Sequence, residues 1–280
     1  MNFPPFWAKG SHQNFSCWRW SQRSLGEAEA LAKEAALKLA ERFAGGGGRL
    51  NRYAYGDRPL REPVLRELKS NSGDVVAVIT RNACGCLVLN AARVMFVDVD
   101  LAQPRGSGGA GGWLARLLGR PQPTTPNKVQ DDALAKADAW IRAHPDWGWR
   151  IYRTRAGLRL LATHALFDPA AVSAEPVFDE LGADPLYRQL CKTQNCFRAR
   201  LTPKPWRCGV RHPPSRWPWS DAKAETRFNQ WEARYLKACG ERATCELLAT
   251  MGNPQIGPDI QLVISIHDEA TRAESKLALA

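Results

Sequence analysis

The segment Val94-Met95-Phe96-Val97-Asp98-Val99-Asp100 decides the expected fold, because it ends an apolar run with two carboxylates at alternate positions. On a β-strand, alternate side chains point to the same face, so the Cβ atoms of Asp98 and Asp100 should lie roughly 6 to 7 Å apart. Two uncompensated carboxylates on one face repel each other, and we expect a cation to meet them. A divalent metal is the obvious candidate for that cation. In the structural alternative, the two aspartates end the strand at a turn or pair with arginines.

Apolar segments with short polar connections predict further strands on both sides of this stretch. Residues 75–80 and 86–89 precede it, and their tight connections favour antiparallel neighbours. Residues 149–154 and 158–163 flank a glycine turn and predict a β-hairpin.

Helical patterns surround these strands. Ser24 followed by Glu27 is typical of a capping box, and an Ala-rich amphipathic helix is expected from Leu25 to Phe43. Residues 60–68 predict a shorter helix with Pro63 in its first turn. Further helices are predicted at 131–143, 169–182, 184–195 and 221–250.

The expected fold class is α+β, with a small antiparallel-rich sheet, helices packed on it and helical flanking segments. We divide the chain into an N-terminal aromatic and basic segment with helices (1–70), a central α+β domain (74–205), and a Trp- and Pro-rich connector with a C-terminal helical segment (206–280). Residues 102–126 are rich in Gly, Pro and Thr and predict a mobile insertion beside the two aspartates.

Composition favours phosphates and bases as partners. Lys and Arg exceed Asp and Glu by eleven, and the chain holds 11 Trp. A basic protein whose charge only keeps it soluble would have the same composition, so net charge alone does not identify the partner. The sequence lacks G-x-x-x-x-G-K-[ST], G-x-S-x-G and H-E-x-x-H patterns, which argues against P-loop ATPases, serine hydrolases and zincins.

The sequence predicts a cytoplasmic protein with no membrane partner. It lacks a run of about 18 apolar residues, and its N-terminus lacks the charged and then apolar pattern of a signal peptide. Its eight cysteines are therefore expected as reduced thiols. Cys191-x4-Cys196, with Cys208 and His212 further on, is only loosely similar to a zinc spacing, so zinc is an unlikely cofactor.

Two motifs resemble a known family. Residues 94–100 resemble the first motif of the archaeo-eukaryotic primase superfamily, an apolar run and then D-x-D, and residues 154–160 look like its second motif, a small residue and a Gly turn before a strand. The resemblance covers roughly residues 75–205 and implies an RRM-like sheet and metal-dependent nucleotidyl transfer. It implies that Asp98 and Asp100 are catalytic and hold Mg²⁺ or Mn²⁺, and that the phosphates are bound by Thr154, Arg155, Gly157 and Arg159.

This chain departs from the family pattern at the histidine position, and its third acidic residue is not identified by the sequence. Arg159 stands where the family carries a phosphate-contacting histidine, and a guanidinium keeps a phosphate contact but not the proton chemistry of histidine. Its structural alternative is an exposed strand residue. The family's third acid is open among Asp168, Asp179 and Asp184, of which Asp168 before Pro169 is equally typical of a helix N-cap.

The segment 197–209 is a candidate contact for phosphates, and it is similar to a basic segment that follows the third motif in some primase relatives. Its prolines restrict the chain, and its four cations are Arg198, Arg200, Lys204 and Arg207. Trp206 is placed to stack on a base. The alternative is a Pro-rich connector with solvated cations. The Trp-rich runs 18–20 and 216–219 favour packing over stacking on bases.

The leading functional hypothesis is a metal-dependent nucleotidyltransferase or nucleotide-binding protein that acts on nucleotides or nucleic acid. The second is a non-catalytic nucleic-acid-binding protein with a degenerate primase-like core. The third is a scaffold whose Arg and Trp segments contact other proteins.

Overall fold

Two four-stranded antiparallel sheets and a two-stranded hairpin form the β-structure of the described residues. The computed structural model describes residues 1–45, 58–101, 126–171 and 174–280. The strands are β1 (Phe6–His12), β2 (Phe15–Ser21), β3 (Val64–Lys69), β4 (Val75–Arg81), β5 (Leu87–Ala91), β6 (Phe96–Asp100), β7 (Gly148–Thr154), β8 (Gly157–Ala162), β9 (Phe197–Arg200) and β10 (Cys245–Gly252).

Helices connect these strands. In the same described residues they are α1 (Leu25–Ala44), α2 (Pro126–Ala143), α3 (Glu175–Leu181), α4 (Pro185–Gln194), a 3₁₀-helix (Pro205–Cys208), α5 (Ala222–Cys239) and α6 (Pro258–Thr271). Helix α1 begins as predicted, because the Ser24 side chain accepts a hydrogen bond from the Glu27 amide. The α+β class is confirmed.

The first sheet has the order β3-β4-β5-β9 and the second has the order β10-β7-β8-β6. The hairpin β7–β8 is confirmed, and β6 pairs with β8 on its other side. The N-terminal hairpin β1–β2 packs on α1 through Ala8, Ala28 and Ala32. The insertion predicted at 102–126 lies, except for its last residue, outside the described residues.

One apolar core joins the two larger sheets. It contains fully buried residues from five strands, Leu89, Phe96, Ile151, Leu160 and Phe197. The helices α2, α3, α4 and α6 add Ile141, Phe178, Tyr187 and Val263. The strand ends that carry the predicted site residues are therefore held by packing from both sheets.

The helix predicted at residues 60–68 is wrong, because Val64–Lys69 forms β3 and pairs with β4. Pro63 has no amide to donate and Val64 is β-branched, so both favour an extended chain here.

The helix predicted at 221–250 is wrong in its last part. Helix α5 ends at Cys239, and Cys245–Gly252 forms β10 along the edge of β7. The β10–β7 ladder satisfies backbone groups that a longer helix would satisfy internally.

The prediction that 86–89 and 94–100 are antiparallel neighbours is also wrong. They form β5 and β6, which belong to different sheets. Val94 and Met95 have no exposed surface, and they carry the chain through the core between the two sheets.

None of the helices in the described ranges combines the length and apolar character that crossing a lipid bilayer requires.

Candidate functional site

Asp98 is paired with an arginine of the neighbouring strand. Asp98 and Arg159 are cross-strand partners of β6 and β8. Arg159 Nε donates to Asp98 Oδ1 at 2.7 Å, and Arg159 Nη2 donates to Asp98 Oδ2 at 3.1 Å. The Arg159 side chain is only 2% exposed, so this two-point ion pair is largely removed from water. The chain thus supplies its own cation to the first aspartate.

Arg159 continues into a buried group of polar side chains. Its Nη1 donates to the backbone oxygen of Arg200 at 3.0 Å and lies 3.3 Å from His267 Nε2. His267 Nδ1 lies 2.8 Å from Asp268 Oδ1, and the Tyr152 hydroxyl donates to the same oxygen at 2.7 Å. Arg150 pairs with Asp268 as well. We call Asp98, Arg159, His267, Asp268, Tyr152 and Arg150 the buried ionic network.

The environment of His267 favours its neutral form. Burial lowers the pKa of this histidine, and the Arg159 charge lowers it further, against the raising effect of Asp268. A neutral ring with its proton on Nδ1 would donate to Asp268 and accept from Arg159, which satisfies both ring nitrogens. No sequence motif indicated His267 or Asp268, since both lie on α6, far along the chain from Asp98.

The other carboxylates lie beside Asp98. The Asp184 amide donates to the Asp98 backbone oxygen at 3.0 Å, so Asp184 is the third-acid candidate that the fold places here. Burial, together with the charges of Asp98 and Asp184, raises the pKa of Asp100, and Lys204 and Arg200 partly offset this. Of the other two candidates, Asp168 accepts from the Ala170 amide at 2.9 Å and Asp179 pairs with Arg188.

These carboxylates do not fit a two-metal centre as they are placed. Asp98 is engaged by Arg159, and the Asp184 side chain caps α4 by accepting from the Leu186 amide at 2.7 Å. Across the ranges that the structure describes, no group of three His, Cys, Asp or Glu side chains has a geometry that could hold a metal ion. The predicted Mg²⁺ or Mn²⁺ site therefore stays a prediction.

Four of the predicted phosphate-binding residues lie close to one another near Asp100. Arg155 lies in the β7–β8 turn, Arg200 ends β9, and Lys204 and Arg207 flank Trp206 at the 3₁₀-helix. We call Arg155, Arg200, Lys204 and Arg207 the cationic cluster. Burial and the charges of Arg200 and Arg155 lower the pKa of Arg207, while burial and the charges of Arg200 and Arg207 lower that of Lys204. The four cations therefore repel one another.

The cationic cluster is short of hydrogen-bond acceptors. Arg200 Nε and Arg207 Nη1 are buried without a partner. None of the four side chains makes a hydrogen bond or a salt bridge with any part of the chain that the structure describes. Buried donors in folded proteins almost always have an acceptor, and an anion bound here would supply the acceptors that Arg200 and Arg207 lack.

Other predicted site residues have structural partners instead. Arg198 Nη2 donates to both carboxylate oxygens of Glu62 at 3.0 Å, and this pair is buried. Gly157 has no room for a side chain, because a Cβ there would lie 1.9 Å from the Val99 backbone oxygen. Thr154 accepts a long hydrogen bond of 3.4 Å from the Ala156 amide and so shapes the β7–β8 turn. A phosphate contact through Arg159 would require this side chain to leave Asp98.

An exposed aromatic ring adjoins the cationic cluster. Trp206 is 46% exposed. Lys204 Nζ lies 5.6 Å from the centroid of its ring, and the His212 ring lies 4.7 Å away. The sequence indicated Trp206 as a base-stacking residue, and the structure leaves its ring accessible.

Comparisons with known proteins give this chain no family. No family model, curated protein or solved structure matches it.

Proposed function

We propose that this protein binds single-stranded nucleic acid through the cationic cluster, without a metal-dependent reaction. The observation that carries the proposal is the convergence of Arg155, Arg200, Lys204 and Arg207 with two buried guanidinium donors that lack acceptors. This corresponds to the second of the three hypotheses drawn from the sequence.

Phosphates would relieve both unfavourable features of the cationic cluster. Their charge offsets the mutual repulsion of the four cations, and their oxygens accept from the free N–H groups of Arg200 and Arg207. An unsatisfied buried donor costs about 1–3 kcal/mol, so a strand that supplies acceptors gains binding energy. The release of counterions from the phosphates adds a favourable term that depends on salt.

Trp206 favours a single strand over a duplex. Proteins that bind single strands combine a basic groove with aromatic rings on which unpaired bases stack. Trp206 stands between Lys204 and Arg207 and is 46% exposed, so a base can reach its face while phosphates occupy the neighbouring cations. Bases inside a duplex are already stacked and cannot make this contact.

Nucleotidyl transfer is the second candidate. The proximity of Asp98, Asp100 and Asp184 favours it, because this is the side of the sheet where the primase resemblance expects acidic residues. The engagement of Asp98 by Arg159 weighs against it, since a metal would have to displace a buried ion pair.

The test is fluorescence anisotropy with a fluorescein-labelled single strand of oligo-dT and one of oligo-U, at several salt concentrations. We expect the wild type to bind with a dissociation constant that rises with salt. In Arg200→Gln/Arg207→Gln, the slope of log affinity against log salt should fall by about 1.4, which is two phosphate contacts at about 0.7 each. Trp206→Leu should weaken binding by roughly fivefold or more with an unchanged slope, because it removes stacking and not charge.

A matched control removes the same amount of charge elsewhere. Lys38→Gln/Arg142→Gln replaces two exposed cations of α1 and α2, whose side chains are 70% and 73% exposed. This variant should keep the wild-type slope. Equal losses in both double variants would mean that only net charge attracts the strand, and no binding at low salt would favour the scaffold hypothesis. Primer extension with Mn²⁺ and nucleoside triphosphates would support nucleotidyl transfer instead.

A further inference from the structure

A second concave site is lined by none of the four residues of the cationic cluster. A pocket of about 420 Å³ opens between the N-terminal hairpin, the β4–β5 turn and the connector that precedes α5. Its aromatic lining consists of Trp7 and Trp18 from the hairpin, Trp217 and Trp219 from the connector, and Phe228 from α5. We call it the aromatic pocket. Its volume falls within the range of about 300–1,000 Å³ that is usual for small-molecule sites.

The charges around the aromatic pocket select against a cation. Its lining includes Arg58, Arg61, Arg81 and Arg216, against the single carboxylate of Glu62, which is already paired with Arg198. Aromatic walls alone would suit a quaternary ammonium group. Of these arginines, Arg216 is exposed and makes no salt bridge with any described residue. Its charge reverses that preference and favours a ligand that carries negative charge.

The aromatic pocket also has donors that lack acceptors. Arg81 Nε and Trp219 Nε1 are buried without a hydrogen-bond partner, and both residues line the pocket. The other end of Arg81 is occupied, because its Nη2 donates to Glu232. A fitting ligand therefore combines a flat apolar face, hydrogen-bond acceptors and negative charge.

From these features we infer that the aromatic pocket binds a nucleotide, with its base against the tryptophans and its phosphate near Arg216. The base supplies the flat face and ring acceptors, and the phosphate supplies the charge. The nucleotide is either free or part of the bound strand. The inference rests on the proposed function only in the second case, because that case requires a bound strand.

The fold connects the aromatic pocket to the cationic cluster. Ala83 of the β4–β5 turn lines the pocket. Cys86 and Leu87, which follow it, contact the segment before Lys204. Cys86 Sγ lies 3.6 Å from the Pro203 backbone oxygen, and the Leu87 amide donates to Thr202 Oγ1 at 2.9 Å. A strand whose phosphates lie on the cationic cluster is thus next to a site for one of its bases.

Isothermal titration calorimetry of the full chain with AMP, adenosine and ribose 5-phosphate tests the inference. We expect AMP to bind more tightly than adenosine, which lacks the phosphate, and than ribose 5-phosphate, which lacks the base. Trp217→Leu should weaken AMP binding by roughly fivefold or more, the lower end for one lost stacking contact. Arg216→Gln should weaken it by roughly threefold, as expected for one exposed charge contact.

The matched control is Arg211→Gln, an exposed arginine of the same connector that does not line the pocket. It should leave AMP affinity unchanged, as should Arg200→Gln/Arg207→Gln. If the latter double variant loses AMP and Trp217→Leu keeps it, the nucleotide lies on the cationic cluster. The pocket inference is then overturned while the proposed function stands.

A second arm distinguishes a free nucleotide from one within a strand. Oligo-dT with a single 2-aminopurine is titrated with wild type and Trp217→Leu, and stacking on tryptophan quenches the probe. Quenching that depends on Trp217 without AMP binding supports a site for a strand nucleotide. If neither AMP binding nor Trp217-dependent quenching is observed, the inference is overturned, whatever the salt-dependent binding of the strand shows. If Trp217→Leu loses its cooperative melting transition, Arg216→Gln decides the question, because Arg216 is exposed and its replacement leaves the packing intact.

Discussion

The buried ionic network and the cationic cluster meet at Arg200 and differ in how their charges are compensated. In the network each charge has a named partner, and Arg159, Asp98 and Asp268 bind one another directly or through His267. In the cluster, four cations approach one another and two buried N–H groups lack acceptors. Breaking a buried pair leaves an unpaired charge and destabilises the fold, whereas cations that Asp100 offsets only in part raise the free energy of the folded chain until a ligand binds.

The contact between the two regions gives the network a positioning role. Arg159 Nη1 donates to the backbone oxygen of Arg200, the residue that ends β9 and begins the cationic cluster. Asp98 thus fixes Arg159, and Arg159 fixes the strand end from which the Arg200 side chain projects. We expect substitutions in the two regions to change stability in opposite directions.

The largest effect is expected from Arg159→Ala. The change removes the partner of Asp98, leaves His267 without its donor and empties the volume of a side chain that is 2% exposed. Removing one partner of a buried pair costs about 3–5 kcal/mol, and we expect about 3 kcal/mol because Asp98 is 30% exposed and regains some water. The free energy of unfolding in urea measures it.

The control is Arg153→Ala on the adjacent strand β7. Its guanidinium lies 3.9 Å from Glu246, and both side chains are more than 40% exposed, at 42% and 44%. Such a surface pair is worth less than about 1 kcal/mol. If Arg159→Ala costs no more than Arg153→Ala, Asp98 does not depend on Arg159, and a metal at the aspartates becomes the better explanation of the D-x-D pattern.

The sequence predicted the elements of this region better than the contacts between their side chains. Strands at 94–100, 149–154 and 158–163 follow from local alternation and a glycine turn, and all three are present. The partner of Asp98 is 61 residues away in the chain, and His267 is a further 108 residues from Arg159. Local patterns carry no information about pairs so far apart in the chain. The sequence therefore leaves both a metal and an arginine open as the partner of Asp98.

The same limit explains why basic residues could not be sorted in advance. Arg198 and Arg200 are two residues apart in one segment, yet Arg198 Nη2 is paired with Glu62, 136 residues earlier, while the Arg200 side chain makes no salt bridge with any described residue. The sequence predicts helix at residues 64–68 and 245–250, where the chain forms strands because pairing with β4 and β7 outweighs local propensity.

The second effect in size concerns pH. The pKa of His267 is lowered by burial, so the folded chain binds fewer protons than the unfolded chain below the ordinary value of 6.5. Stability should therefore fall as pH drops from about 6.5 towards the lower folded pKa, by at most about 1.4 kcal/mol per pH unit. His267→Gln should remove this slope, as measured by urea unfolding at several pH values.

The quantity to compare is the difference in unfolding free energy between the wild type and His267→Gln at each pH, because other groups also titrate in this range. His164 also has a pKa lowered by burial, but it is present in both proteins and cancels in the difference. Asp268, with a pKa lowered mainly by its hydrogen bond to His267 against the effect of burial, affects stability only below its ordinary 3.8. A slope that is unchanged in His267→Gln would mean that His267 accepts a proton in the folded state without loss of stability.

The smallest effect, and the one of opposite sign, is expected from Arg207→Gln in the cationic cluster. Burial and the charges of Arg200 and Arg155 lower the pKa of Arg207, so its charged form is disfavoured in the folded chain. A neutral side chain relieves that repulsion and removes a buried Nη1 without a partner. We expect a gain of about 0.5 kcal/mol in the free energy of unfolding, measured without ligand.

Measuring the stability of Arg207→Gln with and without a bound strand separates a role in the fold from a role in binding. Arg142→Gln, on α2, should leave stability unchanged within about 0.5 kcal/mol, and a loss above that in Arg207→Gln would show that Arg207 contributes to the fold. With saturating oligo-dT the order should reverse, because the wild type gains stability from binding and the variant gains less. A residue that destabilises the free chain and stabilises the bound one serves the ligand, whereas Arg159, which the fold requires in both states, serves the structure.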